Sequence, residues 1–278
     1  MNWLQTILMA IVDGLTEIFP VSGDAHTQMI AKLLGISLSR GQFACLRAWM
    51  HFGVFLALSM FYRRELSSML QEQLVILGLR RPVSRKRGVP LERRQLMLWF
   101  FSALPMLAGL LLYPLRRRIE QGSFSLLISG LLLGVYGILL FFALRAAAER
   151  REDTDLTLAD AVTAGGAQIL SVLPGVSRCG MSTAVLMLRG MTGETAVGGA
   201  GLMGVPVFFA AAITELIAAK GAGLSAAVCI LALCVSAIAG FFALRLLRHM
   251  ARRGSLSVFV YWCWGAGIFC LALFLISA

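Results

Sequence analysis

Long apolar runs alternate with short polar or basic connectors along most of this chain, which is the pattern of membrane-spanning helices. A span needs roughly 20 consecutive apolar residues. Runs of about that length cover residues 43–62, 96–113, 124–144, 196–218, 225–247 and 256–276. The pattern therefore predicts an all-α integral membrane protein with six transmembrane helices.

Two further apolar segments are each interrupted by a proline and are too short on either side to cross a bilayer. The first consists of residues 3–19 and 27–34 around Pro20, and the second of residues 161–173 and 181–188 around Pro174. Proline lacks the amide hydrogen and clashes with the preceding helical turn, so each helix should end there. Irregular backbone at membrane depth is tolerated where it is buried in protein or lines a wet cavity. We therefore expect two re-entrant helix hairpins.

The two broken segments resemble each other. Ile18-Phe19-Pro20-Val21-Ser22 aligns with Val172-Leu173-Pro174-Gly175-Val176-Ser177 after one inserted glycine, and three predicted spans follow each segment. Identical units that cross a membrane an odd number of times must have opposite orientations. The chain is therefore predicted to be an inverted-topology repeat, with residues 1–150 and 151–278 as its halves within one membrane domain.

Composition supports a membrane protein. Hydrophobic residues make up 59% of the chain and charged residues 14%, and the mean hydropathy is +0.82. The net charge of +11 could suggest nucleic acid. The basic residues, however, lie in connectors between apolar runs, which argues against a nucleic-acid partner and indicates cytoplasmic loops.

Counting these basic residues predicts the orientation. The stretches 63–95 (expected to be a long basic loop), 145–194 and 246–255 hold most of them and should be cytoplasmic, with both termini outside. The triplet Arg116-Arg117-Arg118 on the opposite side counts against this assignment. The six cysteines show neither CxxC spacing nor histidine companions, so we expect small buried side chains rather than disulfides or a zinc site.

The first hairpin carries the sequence Asp13-Gly14-Leu15-Thr16-Glu17 before its break and Ser22-Gly23-Asp24-Ala25-His26 after it. Asp13 and Glu17 are four residues apart and share one helix face. They suit a divalent cation, magnesium or calcium, or a general base. His26 could be a nucleophile on phosphorus, an acid for the leaving group, or a hydrogen-bonded core histidine.

The second hairpin breaks at Pro174-Gly175-Val176-Ser177-Arg178-Cys179-Gly180. Glycines allow close approach of a ligand, and the amides of the following half-helix favour an anion. Arg178 adds a planar cation that binds phosphate through two parallel hydrogen bonds. The predicted phosphate-binding residues are Ser22, Gly175, Arg178, Gly180 and Ser182, with Ser177 as a catalytic candidate. The alternative is a packing kink whose arginine reaches the interface.

Other polar residues lie in or near the spans. Arg47 is a candidate for the same cavity, whereas Glu215 and Arg189 are expected at the membrane interface. His51 and His249 receive no function from the sequence.

These motifs resemble those of undecaprenyl-diphosphate phosphatases of the bacitracin-resistance type, over the whole chain. The resemblance implies removal of one phosphate from undecaprenyl diphosphate in the bacterial inner membrane, at a site facing the outer side. That reaction regenerates the lipid carrier for peptidoglycan synthesis and gives bacitracin resistance. The residues that match the family pattern are Glu17, Ser22, His26, Ser177 and Arg178.

The departures from the family pattern concern the first hairpin most. The family usually has glutamate at Asp13 and reads Ser-Ser-Thr-Gly where this chain has Ser22-Gly23-Asp24-Ala25. A mechanism that uses the second of those serines as nucleophile cannot operate here. The remaining nucleophile candidates are His26, Ser177 and water.

The sequence leaves alternatives open. Inverted repeats with broken helices are also the plan of transporters and lipid flippases. An inactive paralogue would share the same motifs. A phosphatase of the acid-phosphatase-like membrane superfamily is not supported, because no second active-site histidine follows Arg178. The lipid chain length and the oligomeric state stay undetermined, with a homodimer as one option.

Overall fold

The computed structural model describes residues 1–79, 98, 100–120, 122–146 and 157–277, and its regular elements are helices. We number the α-helices in chain order. They are α1 Trp3–Thr16, α2 Gly23–Leu33, α3 Arg40–Phe61, α4 Arg63–Ile76, α5 Leu104–Gly109, α6 Tyr113–Glu120, α7 Ser125–Ala146, α8 Leu158–Ala167, α9 Arg178–Leu188, α10 Gly193–Ala218, α11 Ala226–Arg252 and α12 Val258–Ser277. Short 3₁₀ turns occupy Leu110–Leu112 and Gln168–Val172.

Five of the described helices are long and apolar enough to cross a membrane, namely α3, α7, α10, α11 and α12. They correspond to five of the six predicted spans, and the protein is a multi-pass membrane protein. Of the sixth predicted span, 96–113, residues 96, 97 and 99 lie outside the described part. The rest is divided into α5, a 3₁₀ turn and the first residue of α6. Pro105 lies near the start of α5, where its missing amide hydrogen costs no helical bond.

The expected loop at 63–95 was wrong for its first part, because α4 follows α3 directly at Arg63. Glu65 and Leu66 are good helix formers, and Glu65 lies in the first turn, where its charge suits the helix dipole. Residues 80–95 lie outside the described part.

Both broken segments form hairpins, and each hairpin begins and ends at the same end of the bundle. In the first, the Gln5 side-chain amide donates to the Leu34 carbonyl at 3.1 Å. In the second, Arg189 at the end of α9 pairs with Asp160 in the first turn of α8. Serine caps the second half-helix in each case, Ser22 for α2 and Ser177 for α9. The predicted breaks at Pro20 and Pro174 are confirmed.

The open ends of the two hairpins lie near different ends of the long helices. Leu144, Met187, Thr192, Arg252 and Leu256 line one cavity, so the end of α9 lies with the basic ends of α7 and α11. At the other end, Arg117 donates to the carbonyls of Arg40 and Ala218, near the end of α2. The turns of the two hairpins then meet inside the bundle.

Candidate active site

Hydrogen bonds join the turns of the two hairpins. The Gly175 amide donates to Ser22 Oγ at 3.2 Å, and Ser177 Oγ donates to the Phe19 carbonyl at 3.4 Å. The Tyr136 hydroxyl on α7 donates to the Pro20 carbonyl at 3.1 Å. The structure therefore brings the two sequence motifs, which are more than 150 residues apart, into direct contact.

A buried ion pair lies at this contact. Arg178 Nη2 is 2.8 Å from Glu17 Oε2, and the guanidinium carbon lies 4.5 Å from the centre of the Phe208 ring. His51 on α3 completes the group, with its Nε2 atom 3.5 Å from Glu17 Oε1 and 3.5 Å from Arg178 Nη2. We call Asp13, Glu17, His51 and Arg178 the central cluster.

Asp13 lies one helical turn before Glu17 and is also buried. Ser236 on α11 donates to its Oδ2 atom at 3.5 Å. Asp13, Glu17 and His51 each place one potential ligand atom within 4.8 Å of the others, a spacing that fits a divalent cation. The sequence reasoning missed His51, although a polar residue in the middle of a span is itself a signal of function.

His26 lies against α12 rather than in the central cluster. Its Nε2 atom accepts a hydrogen bond from Trp262 Nε1 at 2.8 Å, so Nδ1 carries the ring hydrogen and donates to the Ser22 carbonyl at 2.6 Å. Among the described contacts, none joins His26 to Glu17 or Arg178. Trp262 was not a predicted site residue.

The hydroxyl groups of the predicted phosphate site have protein partners. Ser22 Oγ accepts from the Gly175 and Ala25 amides, and Ser177 Oγ accepts from the Gly180 amide at 3.1 Å. Ser182 Oγ donates to the Ala164 carbonyl at 3.2 Å, which ties α9 to α8. These bonds fix the start of each half-helix and the packing within the second hairpin.

Two glycines are required by close packing at this contact. A Cβ at Gly180 would lie 1.7 Å from the Tyr136 hydroxyl, and a Cβ at Gly23 would lie 2.5 Å from the Glu17 carboxyl carbon. Gly23 therefore leaves the space in which Glu17 reaches Arg178. Gly175 has φ +98°, in the left-handed region.

A second buried charged group lies beside the first hairpin. Asp24 Oδ1 accepts from Arg47 Nη2 and Arg116 Nη2, each at 2.5 Å. Glu120 accepts from Arg47 Nη1 at 3.0 Å and from Arg116 Nε at 2.8 Å. We call these residues, with Glu215 and Tyr113, the Asp24 cluster. Arg47 Nε lies 3.4 Å from Glu215 Oε1, and the Tyr113 hydroxyl donates to Glu215 Oε2.

The structure shows that one prediction about a charged residue was wrong, and it adds detail to others. Glu215, expected at the interface, is only 3% exposed because it packs against Arg47 and Tyr113. Arg116, counted as a loop charge, is 5% exposed. Arg47, a candidate for the cavity at the two motifs, is buried but lies in the Asp24 cluster. Arg189, in contrast, has a side chain that is 40% exposed.

A cavity of about 340 Å³ borders the Asp24 cluster. Lys32, Arg40 and Arg117 supply positive charge around it, and Ile36 and Phe43 are among its apolar wall residues. Arg47, Glu120 and Glu215 also line it, so its charged lining has both signs with an excess of positive charge.

Comparison with known proteins decides the family. The family model described as "Bacitracin resistance protein BacA" matches residues 6–269. The chain belongs to the BacA family. Proteins similar to this BacA-family member include "Undecaprenyl-diphosphatase 2" of Burkholderia thailandensis, 30% identical over 98% of this chain and 97% of that protein. "Undecaprenyl-diphosphatase" of Anaeromyxobacter dehalogenans is 31% identical over 99% and 92%, and that of Methanobrevibacter smithii 26% over 96% of each chain.

Proposed function

We propose that this BacA-family protein hydrolyses undecaprenyl diphosphate to undecaprenyl phosphate and inorganic phosphate. The reaction would recycle the lipid carrier for peptidoglycan synthesis and confer resistance to bacitracin. The observation that carries the proposal is the pairing of Glu17 with Arg178 where the two family motifs meet. The names of the similar proteins support the same substrate.

The geometry suggests how the site would hold a diphosphate. Helices α2 and α9 both begin at the contact between the turns, so the positive ends of two helix dipoles favour an anion there. Arg178 would bind the terminal phosphate and stabilise the charge that develops during transfer. The remaining residues of this phosphate-binding site would be Gly175, Gly180, Ser22 and Ser182.

Transfer requires a nucleophile to form a bond to the terminal phosphorus as the bridging phosphorus–oxygen bond breaks. The lipid monophosphate then leaves with the bridging oxygen. We assign His26 as the nucleophile, whose phosphorylated ring would then be hydrolysed by water to release inorganic phosphate, or as the acid, which would need a second ring hydrogen on Nε2 to give to this oxygen. Asp13, Glu17 and Ser177 are further catalytic candidates. Acting through Nε2 would require His26 to exchange its bond from Trp262 for one to the substrate. Activated water and Ser177 remain the alternatives to His26 as nucleophile.

A phosphate-release assay in detergent separates this proposal from a transporter or flippase, since detergent leaves no compartments to transport between. We expect purified protein to release inorganic phosphate from undecaprenyl diphosphate. The Arg178→Ala variant should release almost none, while Arg252→Ala, at an exposed pair with Glu194, should match the wild type. Folded wild-type protein that releases no phosphate would contradict the proposal.

We further propose that Asp13 and Glu17 bind magnesium or calcium, because hard cations prefer carboxylate oxygens. Their spacing with His51 fits a cation. When bound, the cation would neutralise charge on the phosphate oxygens. We expect activity to fall to background in excess chelator and to return when either metal is restored. Full activity in chelator would leave the two acids as proton carriers.

We also propose the finer architecture, with six spans, two re-entrant hairpins, an inverted repeat and a site that faces outward from the inner membrane. The open ends of the two hairpins lie near opposite ends of the bundle, which supports the inverted repeat. The buried pairing of Arg116 supports the orientation, because this residue no longer counts as a free loop charge. A homodimer stays a prediction, which the molar mass in detergent, measured by light scattering, would decide.

A further inference from the structure

The central cluster contains two buried nitrogen atoms without a hydrogen-bond partner among the described residues. They are Arg178 Nη1 and His51 Nδ1. The two side chains are 6% and 0% exposed, and they contact each other through Arg178 Nη2 and His51 Nε2 at 3.5 Å. Both unpaired atoms therefore belong to one small group next to Glu17.

The chemistry of the contact shows what these atoms offer. His51 Nε2 lies 3.5 Å from Arg178 Nη2, which can only donate, and 3.5 Å from Glu17 Oε1, which can only accept. When Nε2 accepts from Arg178, the ring hydrogen lies on Nδ1, and when the ring is doubly protonated and Nε2 donates to Glu17, Nδ1 carries a hydrogen as well. Arg178 Nη1 carries hydrogens in every state. A buried donor left unpaired is costly, and polar groups in protein interiors nearly always have partners. Two neighbouring donors without one indicate a missing acceptor.

We propose that His51 is a further phosphate-binding residue, whose Nδ1–H group and Arg178 Nη1 together donate to the oxygens of a phosphoryl group. The identity of that group as the terminal phosphate of a polyprenyl diphosphate rests on the proposed function. The donor pair itself suits any phosphoryl oxygen, whether of the lipid substrate or of released inorganic phosphate. Glu17 then orients Arg178 through Nη2, which leaves Nη1 for the phosphoryl group.

Two amide substitutions of His51 distinguish the functions of its two ring nitrogens. The amide nitrogen of asparagine can take the position of Nδ1, whereas that of glutamine takes the position of Nε2. We would measure binding of inorganic phosphate and of pyrophosphate in detergent, in excess chelator, by isothermal titration calorimetry. His51→Asn should bind within a few-fold of the wild type. His51→Gln should bind roughly 10- to 100-fold more weakly, the range for a lost hydrogen bond to a charged group.

His249→Gln is the matched control, because His249 is an exposed histidine of α11. It should bind both anions like the wild type. The same variants assayed with undecaprenyl diphosphate distinguish the lipid from free phosphate. If the lipid is the occupant, His51→Gln should raise KM by a similar factor.

A measurement on the wild type keeps the proposal testable if a variant does not fold. Nitrogen-15 spectra of the histidine rings should place a hydrogen on Nδ1 of His51, and the signal should shift when phosphate is added. A ring without the Nδ1 hydrogen, or a signal unchanged at saturating phosphate, would overturn the proposal.

The other outcomes are equally decisive. Tight binding by His51→Gln and weak binding by His51→Asn would show that His51 acts through Nε2 on Glu17. In a parallel titration with magnesium in place of chelator, a loss that appears only there would make His51 a metal ligand. Either result overturns the phosphate contact. Wild-type protein that binds phosphate through His51 without hydrolysing the lipid contradicts the proposed function and supports this inference.

Discussion

At the residue scale, Arg178 makes a combination of contacts that requires a guanidinium group. It pairs with Glu17 at 2.8 Å, faces His51 and lies over the Phe208 ring. A planar guanidinium can stack on a ring while its edge donates in fixed directions, and an ammonium group cannot. The shape of this residue therefore matters as much as its charge.

The first prediction follows from this shape. Arg178→Lys keeps the positive charge but loses the fork and the stacking, so we expect phosphate release to fall by about 100-fold or more, as for a lost donor to a transition-state oxyanion. Arg252→Lys, at the exposed pair with Glu194, should be unchanged. Turnover near the wild-type value in Arg178→Lys would show that charge alone suffices.

The second prediction concerns the polar residues after the first break. If His26 is the nucleophile or the acid, His26→Ala should lower kcat by at least about 100-fold. Ser22→Ala removes a helix cap and the bond from Gly175, which should cost about 0.5–2 kcal/mol of stability but much less activity. The reverse result, an inactive Ser22→Ala beside a nearly intact His26→Ala, would reassign the chemistry to Ser22.

At the element scale, buried ion pairs connect helices from both halves of the chain. The Asp24 cluster joins α2, α3, α6 and α10 through Asp24, Arg47, Arg116 and Glu215. Two arginines face three carboxylates there, so removing one cation leaves acids uncompensated away from water. Such losses are costly, because the remaining charges keep their desolvation penalty.

The third prediction tests this connection. Arg47→Met, which keeps much of the side-chain volume, should destabilise the protein by about 3–5 kcal/mol in thermal unfolding in detergent. Adding Asp24→Asn should recover part of the loss, since it removes one uncompensated acid. Arg252→Met, in an exposed pair, should cost about 0–1 kcal/mol. Equal losses in the single and double variants would mean that shape rather than charge is responsible.

At the scale of the whole molecule, the hairpins and spans distribute the basic residues unequally between the two ends. Arg63, Arg64 and Arg248 line one cavity at one end, and Arg252 and Arg253 line another at the same end. At the opposite end, Arg116 is neutralised by Asp24 and Glu120. By the positive-inside tendency, we expect the first end to lie in the cytoplasm.

The fourth prediction is this orientation. Gly223→Cys, in the exposed connector between α10 and α11, should react with a membrane-impermeant maleimide added outside spheroplasts. Ser255→Cys, exposed between α11 and α12, should react only after lysis. The unmodified chain, with its native cysteines, provides the background. Labelling in the opposite order would invert the proposed topology and place the site on the cytoplasmic side.

The sequence by itself determined the features that depend on local chemistry. Run length located five spans, because a bilayer demands a fixed number of apolar residues. Pro20 and Pro174 located both breaks, because proline cannot continue a helix. The paired motifs identified the family, and the predicted contact between the two broken segments is present in the structure. The prediction from local sequence was wrong for α4. Basic residues suggested a loop there, although the segment contains good helix formers.

Only the tertiary structure decided which polar side chains meet. His51 joins Glu17 and Arg178, and Trp262 holds His26 across 236 residues of chain. Arg116 reaches Asp24 across 92 residues. The crossing angles and rotations of the helices within the bundle determine these partners. Both depend on packing over the whole molecule. An arginine in a connector and an arginine in a buried ion pair look the same in the sequence, because only the fold determines whether water can reach them.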